Sequence, residues 1–398
     1  MAYIPSVSDI DGNAFVHIIE PTSAFGDLRS IELTPQAQIT FPYNINTDIV
    51  DIEELNGGTV TQASSMAVLQ TSTATNGEAT LDSKQILKYR AGLGGLARFT
   101  ALFTTGVANS EQIIGVGDDE DGYFFGYVGT DFGIIIRRDS VDTFIPQTSW
   151  NVDDMDGNDG QSNPSNVLLD PTKINVFEIE FQWLGAGQID FFIEDPNTGN
   201  FTPVHRVKYA NVNLDPSIFN PSLPLHVNIK NTGNATNLTM KTASMAAFCE
   251  GKSIVNGPRR SFGNLKNVSA EIALFSIQNK SIFQSKTNRV SSFVKKLSIG
   301  NDINQLAVIN IYRNATLGGT PSFTDVNTNN SPIQTDVAGT TVTGGDLLYQ
   351  FVVAKDSGAD FTFDIPDLDI RPEDVITITA SSGAAGDVRA SISWIEDQ

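Results

Sequence analysis

The stretch GVGDDEDGYFFGYVGTDFG, residues 115–133, places four consecutive acids, Asp118, Asp119, Glu120 and Asp121, between two apolar runs. An EF-hand calcium loop needs side-chain oxygens at positions 1, 3, 5 and 12 around a glycine at position 6. With Gly122 at position 6, position 1 falls on Gly117 and position 12 on Val128, and neither side chain can ligate. The flanking runs are short, rich in Ile, Val, Phe and Tyr, and punctuated by glycine, which is strand chemistry. Asp121-Gly122 is a preferred turn dipeptide, and Gly129-Thr130 turns the second run into DFGIIIRR. The stretch is therefore read as a three-strand meander with an acidic hairpin tip. An irregular Ca2+ or Mg2+ site on Asp118, Asp119 and Asp121 is the second reading.

The same pattern runs outward in both directions. ARFTALFTTG, EQIIGVG, NVFEIEFQWLG, QIDFFIED, VHRVKYANV, LPLHVNIKN and LTMKTASMAAF all alternate or form short apolar runs, and no stretch keeps helical spacing over three turns. About a dozen strands between residues 59 and 250 predict two large antiparallel sheets packed face to face. From residue 298 to 398 a second series, QLAVINIYRN, DLLYQFVVAK, DFTFDI, DVITITAS and DVRASISWIED, predicts a smaller β-sandwich.

Between and before these lie two charged segments. Residues 1–58 hold nine acids against Arg29 alone, and Pro35 and Pro42 suit edge strands or an extended arm. Residues 251–296 reverse this, with nine Lys and Arg against Glu271 alone. The division predicted is an acidic N-terminal arm over 1–58, a large sandwich over 59–250, a basic linker over 251–297 and a C-terminal sandwich over 298–398.

Composition narrows the function classes. At 398 residues and 40% hydrophobic content, the chain can bury more than one core. The formal charge of −21 opposes direct contact with nucleic acid or an anionic membrane. A lone cysteine, Cys249, excludes a disulfide framework and a cysteine-rich zinc site. No apolar run approaches the length of a membrane span, and MAYIPSVSDIDGNAF lacks a secretory pattern, so synthesis in a cytoplasm is expected.

Candidate chemistry is sparse. WNVDDMDGNDGQSNPSN, residues 150–166, carries Asp153, Asp154, Asp156 and Asp159 out of calcium-loop register, and reads as an exposed loop. These four, with Tyr123 and Tyr127 on the meander, are the candidate surface contacts for an ion or a hydroxyl-rich glycan. Glu178 and Glu180 lie two apart on NVFEIEFQWLG, so a strand puts both on one face, as a retaining glycosidase requires of its carboxylates. That strand resembles the Glu-x-Asp-x-Glu strand of laminarinase-type glycosidases, but its third position is Gln182, which cannot protonate a leaving group. The residues read instead as the solvent face of a sheet. His17, His205 and His226 show no metal spacing, GLGGLARF (residues 92–99) lacks the Lys-Ser/Thr of a phosphate loop, and no nucleophile elbow is present. No catalytic residue and no cofactor are assigned.

Eight stretches together resemble virion structural proteins of tailed phages and large DNA viruses. They are FPYNINTDIV (41–50), SKQILKYRAGLGGLARFTALFTTGVANS (83–110), IGVGDDEDGYFFGYVGTDFGIIIRR (114–138), WLGAGQIDFFIEDP (183–196), NPSLPLHVNIKNTGN (220–234), NATLGGTPSFTDV (314–326), AGTTVTGG (338–345) and SISWIED (391–397). The resemblance implies a non-enzymatic fibre, spike, decoration or tail-associated component of the virion, with a concanavalin-like or jelly-roll body. Its partners would be copies of itself, taken as a trimer, other virion proteins and a host-surface glycan, with assembly in the host cytoplasm. The acidic arm and basic linker of neighbouring subunits would guide that assembly. The alternative reading is a carbohydrate-binding adhesin with a lectin-like sandwich.

Overall fold

The computed structural model describes residues 31–158 and 160–398, together with a short antiparallel pairing of Val7–Ser8 with Ala14–Phe15. Among the described residues the regular structure is all strand, save one 3-10 turn at Gln147–Ser149. No helix among them is long and apolar enough to cross a membrane. The chain divides into two compact units, residues 1–253 and 254–398.

The first unit is the large antiparallel sandwich expected from the sequence. Its seven-stranded sheet runs Val141–Pro146, Asp131–Arg138, Gly122–Val128, Ser110–Gly117, Leu223–Asn231, Glu78–Leu87 and Val50–Leu55. Its six-stranded sheet runs Phe201–Val207, Ile189–Glu194, Asn175–Phe181, Gly94–Ala101, Ser244–Glu250 and Leu33–Thr40. The predicted meander is present: Gly122–Val128 pairs with both its chain neighbours, and Val128 faces Asp131 across the two-residue turn at Gly129-Thr130. Gly129 takes a φ of +62°, a conformation that glycine adopts without Cβ strain.

Alternation decides what lies between the sheets. Phe99, Phe177, Phe181 and Phe191 point inward from the six-stranded sheet, and Tyr123, Phe125, Tyr127 and Phe132 from the seven-stranded one. Phe177 lies 4.9 Å from Phe125 and 5.8 Å from Phe99, ring centre to ring centre. On the opposite side of the seven-stranded sheet, Ile113, Phe124 and Ile135 form a separate buried apolar cluster.

The second unit is the smaller sandwich. One sheet runs Arg259–Val268, Gly386–Asp397, Ser291–Asn301 and Ser357–Thr362, with Asp369–Ile370 also pairing to Ser291–Asn301. The other runs Thr324–Asp325, Ile333–Asp336, Ile272–Asn279, Val375–Ser382, Ala307–Arg313 and Asp346–Val353. Trp394, Phe275, Leu297, Ile311 and Ile378 fill the space between them.

Two predicted boundaries are corrected. Residues 33–55, expected in the arm, supply an edge strand to each large sheet, and Pro35 sits where the register shifts against Phe248. A proline has no N–H to donate, so the edge of a sheet is where it fits. Residues 1–30 of the expected arm fall outside the described residues, apart from the short pairing above. Residues 251–297, expected as a linker, contribute three long strands to the second unit. Several of their positive charges are paired there, as in Arg260–Glu396, Lys280–Asp325 and Lys296–Asp360. Strand Arg259–Val268 has only one sheet neighbour and is open on its outer face, so its inward apolar residues are few and its pattern reads as polar.

Phe177→Ala removes the ring that joins the two large sheets and should cost about 3–5 kcal/mol of stability. Chemical denaturation followed by near-ultraviolet circular dichroism measures this, and a loss under about 1 kcal/mol would mean that the aromatic cluster is not what holds the sheets together.

Candidate functional site

Burying Phe177, Ile179 and Phe181 commits the residues between them, Glu178 and Glu180, to the outer face of the six-stranded sheet. Cross-strand register then assembles a polar patch around them. Glu178 lies between Arg98 and Phe192, and Glu180 between Leu96 and Asp190. The Arg98 guanidinium pairs with the Glu178 carboxylate and lies 5.3 Å from the centre of the Phe201 ring. Asp190 accepts from Arg206 Nε at 2.6 Å and from Gln188 Nε2 at 2.6 Å. Phe192 and Phe201 are half-buried beside these charges.

The electrostatics follow from crowding acids on a partly dehydrated surface. Glu178 is only 4% exposed, and burial raises its carboxyl against the pull of Arg98. Burial, then the Glu178, Glu250 and Asp190 carboxylates, push the Glu180 carboxyl up to about 7. Glu250 is raised by burial and by Glu178. Near neutrality the patch therefore presents a carboxyl that is partly protonated, carboxylate acceptors and guanidinium donors, flanked by aromatic rings. Such a set can hydrogen-bond a polyhydroxylated ligand and pack against its C–H face. As a hydrolytic pair it is compromised, because Glu178 is held by Arg98 and Gln182 occupies the third position.

The candidate ion and surface-contact residues sit elsewhere. Asp118 lies at the hairpin tip, where its Oδ1 accepts from the N–H groups of Glu120 and Asp121. Asp121 is buried and accepts from the N–H groups of Phe219 and Asn220 at 2.9 and 3.0 Å, tying the tip to a distant loop. Asp119 is exposed, 3.9 Å from Arg137. Arg137 is the partner that the sequence did not reveal. It holds Asp142 through two N–H groups, donates to the Asp118 carbonyl and lies over Phe124. Among the described residues no three Asp, Glu, His or Cys side chains are grouped to hold a metal ion.

Four surface contacts are corrected. Tyr123 and Tyr127 are 0% and 7% exposed, because the strand's alternation turns them into the aromatic core. The Tyr123 hydroxyl is satisfied at 3.0 Å from Ser217 Oγ. Asp153 and Asp154 are also buried; Asp153 accepts from the N–H groups of Met155 and Ser165 and so closes its own loop. Asp156 is exposed and accepts from Asn158. Asp159 lies outside the described residues. His226 is buried on the outer side of the seven-stranded sheet, with Nδ1 at 2.6 Å from Asp82 Oδ1, and His205 is buried in the neighbouring sheet. His17 lies outside the described residues.

No protein-family model matches the chain, and no curated protein matches it in sequence. Several solved structures are similar to about half of the chain. The carbohydrate recognition domain of Emp47p is 10% identical, with a TM-score of 0.33, over 55% of this chain and 97% of that one. A glycosyl hydrolase family protein from Mycobacterium fortuitum is 12% identical, with a TM-score of 0.36, over 53% and 97%. The exoplasmic/lumenal domain of VIP36, in a Ca2+/Man3GlcNAc-bound form, is 12% identical, with a TM-score of 0.34, over 57% and 93%. Scores of this size transfer neither residues nor activity.

The Glu180 carboxyl supplies a sign for pH dependence. Its folded pKa of about 7 exceeds the unfolded value near 4.5, so the folded chain keeps a proton that the unfolded chain has lost. Its contribution is most favourable below about pH 4.5, falls as pH rises towards 7, and is level above that. Glu180→Gln should flatten this slope and raise stability at pH 8 by about 1–2 kcal/mol after allowance for solvent screening. Urea unfolding of both proteins at pH 5 and pH 8 measures it; parallel pH dependence would show that Glu180 is not the group responsible.

Proposed function

We propose that the chain is a non-enzymatic, lectin-like carbohydrate-binding module that works as an adhesin, contacting glycans through the outer face of its six-stranded sheet. The observation that carries this reading is the patch itself. Arg98, positioned by the buried Glu178, together with Glu180, Asp190 and Arg206 offers donors and acceptors on one sheet face beside the half-buried rings of Phe192 and Phe201. Saccharide recognition uses this mixture, since a sugar ring has hydroxyls around its rim and C–H groups on its faces. The strands hold these side chains on a rigid floor, so little ordering entropy is lost on binding. Contact through protein groups alone needs no bound cation.

A virion setting is compatible with this role, and the resemblance of eight stretches to virion structural proteins supports it. As a fibre, spike or decoration protein, the chain would assemble as a homo-oligomer, taken as a trimer, and present the patch to a host surface. Light scattering on the purified protein tests the assembly, and a monomer at all concentrations would count against it.

Glycan-array binding tests the main reading. Phe201→Ala should weaken the strongest hits about tenfold, equivalent to about 1.4 kcal/mol, with binding unchanged by EDTA. An array without hits, or hits that Phe201→Ala leaves intact, would overturn it. Turnover of a β-glucan that Glu178→Gln abolishes would make the chain a hydrolase instead.

A further inference from the structure

The second unit differs from the first in charge. Residues 254–398 hold twelve Lys and Arg against fifteen Asp and Glu, whereas residues 1–253 hold thirteen against thirty-one. Within the second unit, Arg259 and Arg260 open an edge strand whose one sheet neighbour is Gly386–Asp397. Consecutive strand residues point to opposite faces, so two such arginines can serve one place only where the strand edge is open. A surface hollow of about 420 Å³ lies there, lined by Arg259, Arg260, Ser261, Val326 and Ser393.

The two guanidiniums stand differently. Arg260 is fixed, its Nε donating to Glu396 Oε1 at 3.1 Å and its Nη2 to the Asn330 carbonyl at 2.9 Å. Glu396 is fully buried and also accepts from Trp394 Nε1 and Ser331 Oγ, so the carboxylate that orients Arg260 is itself held on three sides. Arg260 keeps N–H donors beyond the two used here. Arg259 is exposed and makes no hydrogen bond or ion pair with a described residue. The two guanidiniums are the charged groups that line the hollow, in a chain whose net charge is −21. Ser261 and Ser393, opposite each other across the two strands, add hydroxyls, and Val326 adds an apolar wall.

We infer that this hollow is a binding site for a carboxylate-bearing ligand of single-ring size, with the chemistry of a uronic acid sugar. The planar carboxylate matches the fork of a guanidinium, which can hold it through two parallel N–H groups. The ring hydroxyls match Ser261 and Ser393. The hollow is shallow and largely open to solvent, so it can hold the charged edge of one ring without enclosing it. The site lies in the second unit and shares no residue with the sheet face of the first, so it stands or falls independently of the glycan contact proposed there.

Isothermal titration calorimetry on the full chain tests the assignment, with glucuronate, glucose and inorganic sulfate as probes. Glucuronate should bind, glucose should not, and sulfate should bind more weakly than glucuronate. Arg259→Gln should weaken glucuronate about tenfold or more without moving the thermal unfolding midpoint, since Arg259 is exposed and supports no neighbour. Arg389→Gln, an exposed arginine on the adjacent strand, should leave affinity unchanged. Phe201→Ala should do the same, which separates this site from the sheet face of the first unit. No glucuronate binding, or affinity that survives Arg259→Gln, would overturn the site. Sulfate binding as tightly as glucuronate, or more tightly, would overturn its saccharide character and leave a simple anion site.

Discussion

The contact of Phe177 with Phe125 is the constraint on which the first unit depends. It joins the middle of the six-stranded sheet to the middle of the seven-stranded one, and Phe99, Phe103 and Phe132 close around the same ring. Aromatic rings remove large apolar surfaces from water, and interiors tolerate little rearrangement around them. Once Phe177 is inside, strand register leaves no freedom for its neighbours. A slip of one residue would turn every inward ring out and every outward charge in.

The outer patch is a consequence of that commitment. Glu178 and Glu180 face outward because Phe177, Ile179 and Phe181 face inward, and pairing with Gly94–Ala101 and Ile189–Glu194 then fixes which charges they meet. Arg98 offsets part of the repulsion among the acids, but Glu180 forms no ion pair among the described residues, and burial together with the neighbouring carboxylates raises its pKa. Groups that are costly to keep charged and close together gain from a ligand that supplies hydrogen bonds to them, which links the stability of the face to its proposed role.

The second unit handles charge in another way. Most of its positive side chains are spent within its own fold, holding strand ends and loops: Lys266 donates to the carbonyls of Ala273 and Gly339, and Lys295 to that of Phe363. The Arg259 side chain has no partner among the described residues, and it lines a hollow whose other arginine is rigid. A fixed donor beside a free one is an arrangement suited to a ligand, because the first sets orientation and the second can close on it.

Period-two alternation and turn residues by themselves determined that the chain is all-β, that a large sandwich precedes a small one, and that the acids at 118–121 cap a hairpin. These are local properties, set by side-chain periodicity and by the conformations that Gly and Asp permit. Where the units begin was not local. Residues 33–55 and 259–297 look like an arm and a linker because no local pattern shows which sheet they join, and only long-range pairing, as between Thr34 and Cys249 or Arg260 and Trp394, reveals it. The fate of each polar side chain was likewise decided in three dimensions. Asp121, Asp153 and Tyr123 looked available for contact, yet Phe219, Ser165 and Ser217, all distant from them in sequence or across a loop, supply the partners that let them be buried. Burial of a polar group depends on such partners, and no window of neighbouring residues contains them.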